Sequence, residues 1–156
     1  MSKARAAAAA ADSFPIGLGE LFDAHGWPRM VGRVLGELLL ADPPYLSTAD
    51  LCERLPASKG HLSTTMTMLA STGMVERFGV PGSRRDHYRL SEDAFVRAMT
   101  KSAEPSTRLA AAAARALADV PPGTRASEEL TRMRDFYAFL AKRLPQLVEE
   151  FEGGAR

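Results

Sequence analysis

The chain has 156 residues, 46% hydrophobic and 25% charged. This is an ordinary globular composition, with room for one compact domain or a small domain plus a dimerising extension. A single cysteine excludes an intramolecular disulfide and a cysteine-based zinc site, and no apolar run reaches the ~18 residues of a membrane span. The net charge of +1 says little by itself, but its distribution is uneven. Residues 1–53 carry four Lys/Arg against seven Asp/Glu, residues 54–90 six against two, and residues 91–156 ten of each. The middle stretch alone is net basic, and a local positive surface attracts phosphate even on a near-neutral chain.

Met1–Asp12 holds Lys3 and Arg5 ahead of six alanines. It lacks the hydrophobic centre of a signal peptide and reads as a flexible, alanine-rich arm (residues 1–12) of a cytoplasmic protein. Residues 13–41 read as two helices for dimerisation and core. In the first, Ser13–His25, Phe14, Leu18, Leu21 and Phe22 have helical spacing, and Gly26 supplies a stop. In the second, about Pro28–Ala41, Val31, Val34, Leu35 and Leu38 form the buried face. Gly32 and Gly36 lie four apart, a spacing that permits close helix approach. Asp42-Pro43-Pro44 ends this helix.

In residues 42–90, Ser47 is a good N-cap with Asp50 three residues on, a short variant of the capping box. The helix it opens carries Leu51 and Leu55, with Cys52 expected as a small buried side chain, and ends before Pro56. Ser58 caps a second helix with a buried stripe of Leu62, Met66, Leu69 and Ala70, and Gly73 terminates it. Two strands follow, Met74–Val80 and His87–Leu90, around the turn-forming loop Pro81-Gly82-Ser83-Arg84-Arg85-Asp86. Helix, turn, helix and basic-tipped hairpin make a winged helix-turn-helix, an architecture whose commonest use is reading duplex DNA. The expected fold class is therefore mainly α with a small β-hairpin wing.

Residues 91–156 return to helix, flanking the winged part as C-terminal dimerisation helices. A break is expected at Glu104-Pro105, then a small-residue stripe of Leu109, Ala113, Ala116 and Val120. After Pro121-Pro122-Gly123 a last helix starts near Ser127. Leu130, Met133, Tyr137, Leu140, Leu144, Leu147 and Phe151 alternate spacings of three and four, the heptad seam of a helix–helix interface. Pro145 predicts a kink or restart there, since it removes the hydrogen bond to Ala141. So many apolar faces on so short a chain favour dimerisation over packing within one subunit.

The start of the second helix carries the chemistry. A recognition helix enters the major groove N-terminus first, presenting unpaired backbone N–H groups to phosphate. Ser58 caps it. Lys59 can bond guanine acceptors or a phosphate, and His61 can do either more weakly. Ser63, Thr64 and Thr67 lie off the buried stripe and can reach phosphates, base edges or a thymine methyl. Gly60 lets the backbone approach the groove. Arg84 and Arg85 in the hairpin loop suit the narrow minor groove, whose negative potential draws guanidinium groups. Arg77, His87 and Arg89 are expected to add backbone contacts, with Tyr88 packing inward. No enzymatic constellation accompanies them: His25, His61 and His87 are scattered, no metal site or cofactor motif is evident, and Gly17-x-Gly19 lacks a third glycine in dinucleotide spacing.

Residues from about Gly26 to Leu90 resemble the MarR-type winged-helix regulators, particularly the GbsR-like branch. The resemblance is carried by Gly26-Trp27-Pro28-Arg29-Met30 with Gly32-Arg33 and Gly36, by Ser58-Lys59-Gly60-His61-Leu62-Ser63, by Gly73-Met74-Val75-Glu76-Arg77, and by Pro81-Gly82-Ser83-Arg84-Arg85-Asp86. It implies a homodimer with intertwined terminal helices, bound to a pseudo-palindromic operator in double-stranded DNA. It places Ser58 to Thr65 in the major groove and Arg84 and Arg85 in the minor groove. It further implies a repressor released by a small-molecule effector. Some GbsR-like members respond to choline or related osmolytes, for which Trp27, Tyr45, Phe22 and Tyr137 are cage candidates by type; no ligand site is carried over. The alternative is a winged-helix module that binds a protein partner without reading DNA sequence.

Overall fold

The computed structural model describes the backbone of residues 3–154 and the side chains of residues 13–154. Two compact units divide the chain, Met1–Ala94 and Phe95–Arg156.

The first unit starts with α1, Lys3–Ala24, and α2, Arg29–Leu39. The helix expected from Ser13 thus begins at Lys3, because alanine is the best helix former and the run from Ala6 to Ala11 extends it upstream. Met1 and Ser2 lie outside the described residues. Gly26, at φ 81°, turns the chain between the helices. Their close approach rests on three glycines. A Cβ on Gly19 would lie 2.7 Å from the Arg33 side chain, one on Gly32 would strike the Leu18 carbonyl, and one on Gly36 would sit 2.5 Å from Pro15 Cα. The four-residue glycine spacing on α2 is therefore what lets α1 lie against it.

The other face of α2 forms the core with α3, Thr48–Arg54, and α4, Lys59–Thr72. Val31, Val34 and Leu35 of α2, Leu51 and Leu55 of the α3 segment, and Leu62, Met66 and Leu69 of α4 are all buried. Ser47 caps α3 in a complete capping box: the Asp50 N–H donates to Ser47 Oγ at 3.2 Å, and the Ser47 N–H donates to Asp50 Oδ2 at 2.8 Å. These bonds favour the charged carboxylate and hold the Asp50 pKa below the usual carboxylate range.

The sheet has three strands in the order β1-β3-β2. They are β1 (Leu46–Ser47), β2 (Val75–Gly79) and β3 (Asp86–Leu90). The hairpin aligns Val75 with Leu90, Arg77 with Tyr88, and Phe78 with His87. β1 pairs Leu46 with Tyr88 and Ser47 with His87. It goes unread in the sequence because it is two residues long and shares Ser47 with the helix cap. Inward packing falls to His87, which is 8% exposed, whereas Tyr88 is only half-buried.

The second unit holds α5, Ala94–Leu117, and α6, Arg125–Gly154. Each runs continuously through a proline, Pro105 and Pro145. The expected break and restart do not occur. In a helix of 24 or 30 residues, one missing backbone bond is a small fraction of the ladder. Near Pro105 the hydroxyls of Ser106 and Thr107 also donate to the carbonyls of Ser102 and Ala103 at 3.2 Å. α6 begins two residues before Ser127, because Thr124 is the better cap: its Oγ1 accepts from the Ser127 N–H at 3.2 Å. On α5 the buried positions are Ala94, Ser106 and Ala113, while Leu109 stays exposed.

Candidate nucleic-acid interface

α4 presents two faces. Ser58 caps it by accepting from the His61 N–H at 3.2 Å, and Gly73 at φ 77° ends it in the left-handed conformation. Leu62, Thr65, Met66 and Leu69 are buried, whereas Ser58, Lys59, Gly60, His61, Ser63, Thr64 and Thr67 are exposed. Two expectations change here. Ala70 is exposed and Thr65 takes its place inside, its hydroxyl satisfied by the His61 carbonyl at 3.0 Å. The helical offset explains it, because 62, 65, 66 and 69 share a face that 70 leaves.

The exposed hydroxyls are partly committed. Thr64 Oγ1 donates to the Gly60 carbonyl at 3.2 Å and Thr67 Oγ1 to the Ser63 carbonyl at 3.0 Å. What they turn outward is an acceptor oxygen and a methyl group, suited to amino groups on base edges or to a thymine methyl. Gly60 leaves open space, with no heavy atom within 4 Å of a built Cβ.

The six cations of the basic stretch fall into two sets. Arg54 pairs with Glu37 at 3.5 Å, Arg77 with Asp86 at 3.0 Å, and Arg89 with Glu76 at 2.6 Å. Arg89 also lies over the Phe78 ring, 4.7 Å from its centre. Lys59, Arg84 and Arg85 have no ion-pair partner among the described residues. Arg77 and Arg89, expected at the DNA backbone, are thus neutralised across the hairpin. The three unpaired cations converge, lining one cleft with Thr48, Ala49 and Cys52.

His87, expected among the DNA contacts, is buried at 8% exposure. Its ring packs against Tyr45 and Phe78, each with centroids within about 6 Å, and Nδ1 lies 3.0 Å from the Arg85 carbonyl. Alternation along β3 turns it into the sheet's covered face, where it steadies the chain just after the arginines. Cys52, expected buried, is half-buried at the cleft. Sequence reasoning also missed Thr48 and Ala49, which nothing marks except their place in the first turn of α3. The aromatic cage candidates have separate neighbours: Phe22 with Trp27, Tyr45 with Phe78 and His87, Tyr137 with Phe136. Among the described residues no three of His, Cys, Asp and Glu gather as a metal site, and no helix is long and apolar enough to cross a membrane.

Known proteins share this fold. Residues 93–154 match the model of the MmpR5-like MarR family transcriptional regulators. The chain is 38% identical over 130 residues to the HTH-type transcriptional regulator MmpR5 of Mycobacterium tuberculosis, covering 79% of this chain and 75% of that one. A solved crystal structure of a transcriptional regulator superposes with a TM-score of 0.83 at 32% identity, over 92% of this chain and 98% of that one. These matches bear out the MarR-type resemblance; the family model and the mycobacterial relative are MmpR5-like, and neither bears out the GbsR-like branch. With its helix-turn-helix, its three-stranded wing and these relatives, the chain belongs to the MarR family of DNA-binding transcriptional regulators.

Proposed function

We propose that this regulator is a homodimeric, sequence-specific repressor whose DNA binding a small molecule modulates. One observation carries the DNA-binding geometry. The basic stretch keeps three cations unpaired, and all three border a single cleft beside the exposed face of α4. In this reading α4 enters the major groove N-terminus first, with Lys59 leading and His61, Ser63, Thr64 and Thr67 toward base edges and backbone. Ser58 holds the helix start, Gly60 admits the backbone, and Arg84 and Arg85 hold the flanking DNA. Residues 42–90 are then the reading head, and residues 13–41 and 91–156 pair two copies.

Exposed apolar side chains support the pairing. Along the heptad seam of α6 none is buried, and Leu147 and Phe151 are 48% and 65% exposed. Phe136 and Phe139 are exposed as well. A two-fold dimer would read half-sites about 34–36 Å apart, one turn of duplex. Bound across a promoter, such a dimer excludes other proteins, which is repression. For the effector, an apolar cleft of about 320 Å³ lies in the second unit, lined by Phe95, Val96, Met99, Leu144, Leu147 and Phe151 among others, within the roughly 300–1,000 Å³ of small-ligand sites. A protein that reads DNA works beside it, so the same reading puts this one in the cytoplasm.

Selection of bound duplexes from a random library tests the reading. Enrichment of a two-fold symmetric motif is expected. Equal binding to every duplex, or activity untouched by reversing the charges of Arg84 and Arg85, would point instead to a protein-interaction module.

A further inference from the structure

Resting on the effector reading above, we propose that Ser91–Ala94 is a two-state joint, and that Asp93 is the positioning residue whose strained backbone couples the apolar cleft to the DNA-binding unit. Asp93 has φ 52° and is the one non-glycine residue with positive φ among the described residues. The other positive-φ positions, 26, 73, 82 and 123, are all glycines. An L-residue in this region crowds its Cβ against the following carbonyl, which disfavours it by about 5–30-fold. The side chain does not offset this. It is exposed, and its carboxylate has no hydrogen-bond or ion-pair partner among the described residues. The surroundings hold the backbone instead. The Ser91 N–H donates to the Met74 carbonyl at 2.9 Å, and the Ala94 N–H donates to the Ser91 carbonyl at 3.1 Å. Ser91 and Ala94 are buried on either side. A four-residue turn with positive φ only at its third position is of the type II kind, which asks for glycine there.

The local sequence favours another conformation. Ser91-Glu92-Asp93 is a helix-start signal, a serine cap followed by two acids in the first turn. Yet α5 begins at Ala94. The second setting of the joint is therefore α5 extended back to Glu92, with Ser91 as its cap. Asp93 then relaxes to right-handed φ, and the Ser91 carbonyl passes from the Ala94 N–H to the Phe95 N–H. Each residue added turns the helix start by about 100°, so the switch changes the path of the chain from β3 into α5. Phe95 is where the second unit begins, and Phe95, Val96 and Met99 line the apolar cleft. A ligand there touches the first turns of the helix whose start the joint sets. Strained residues cluster at such switch regions. The turn setting, which ties the end of β3 to the residue before β2, belongs to the DNA-binding form. The helical setting, which moves Phe95, belongs to the form with the cleft filled.

The full chain is titrated with Nile red, an uncharged apolar dye, and with a duplex selected from a random library. Asp93→Gly removes the strain of the turn setting, so the helical one is reached less often. It should weaken dye binding by about 5–30-fold, though the cleft is untouched, and leave duplex affinity unchanged. Asp93→Ala favours helix and should tighten the dye on the order of threefold. Equal dye affinity in the three proteins overturns the joint. Met99→Asp, inside the cleft, should abolish the dye signal. A dye that ignores this change, or that never binds, sinks the effector reading instead. The joint is then decided without dye, by the carbon chemical shifts of Glu92. Displacement toward helical values from the Gly through the Asp to the Ala protein supports it, and three identical sets of shifts overturn it.

Discussion

The two units of this chain treat their apolar residues in opposite ways. In the first, leucines from α2, α3 and α4 close on one another, and Leu51 and Leu62 lose all contact with water. In the second, α6 carries an apolar seam from Leu130 to Phe151 whose residues are half-buried or exposed, none fully buried. Burial of apolar area is the main favourable term in folding. The first unit therefore holds the interactions that make a stable fold, while the second holds interactions still to be made. A monomer rarely leaves a contiguous apolar surface of this kind without a use for it.

The contrast can be broken at three points. The largest effect is expected from Leu62→Ala, which removes a fully buried side chain from the first unit's core. It should lower the unfolding free energy by about 2–5 kcal/mol, read from urea denaturation. An effect under 1 kcal/mol would mean that the core is not where the stability lies. Leu147→Asp should leave the first unit's unfolding within about 0.5 kcal/mol, as exposed positions do. It should shift the protein from dimer toward monomer in sedimentation equilibrium, with operator affinity falling in parallel. A dimer that persists with a charge in the seam would assign the seam to packing within the subunit.

The smallest effect concerns pH. Asp50 has its folded-state pKa lowered by the Ser47 backbone and hydroxyl hydrogen bonds. A depressed carboxylate stabilises the fold fully above its unfolded value, near 3.9, and loses that contribution as pH falls through the lower folded value. Asp50→Asn should therefore cost about 1 kcal/mol at neutral pH, as loss of a cap does. It should also flatten the acid limb of the stability curve. Parallel curves for the two proteins below pH 4 would remove the capping box from the account.

What the sequence revealed follows the range of the forces involved. Local signals were legible. Ser47 and Ser58 cap their helices, and Leu62, Met66 and Leu69 point inward, because each depends on neighbours within one or two turns; the spacing of Gly32 and Gly36 was legible too, although the helix it admits is α1. Statements that needed strand register were not. Which of the six cations would be neutralised depends on Glu76 facing Arg89 and on Asp86 reaching Arg77. The inward turn of His87 depends on the same register. β1 was hidden for a related reason: two residues carry no period. The prolines misled because helix breaking is a local tendency, and a long helix outweighs it.

Tyr45 to Ser47 belong to two structures at once. Tyr45 packs on the wing, Leu46 and Ser47 pair with β3, and Ser47 caps α3. The wing is therefore not a hinged flap but a buttress rooted in the helix pair that it accompanies. A reading head braced in this way arrives at its target already in shape and loses little conformational freedom on docking. Control of such a head has little to gain from loosening it. In the proposed dimer the softer variable is the separation between two heads, which the long helices outside it would set.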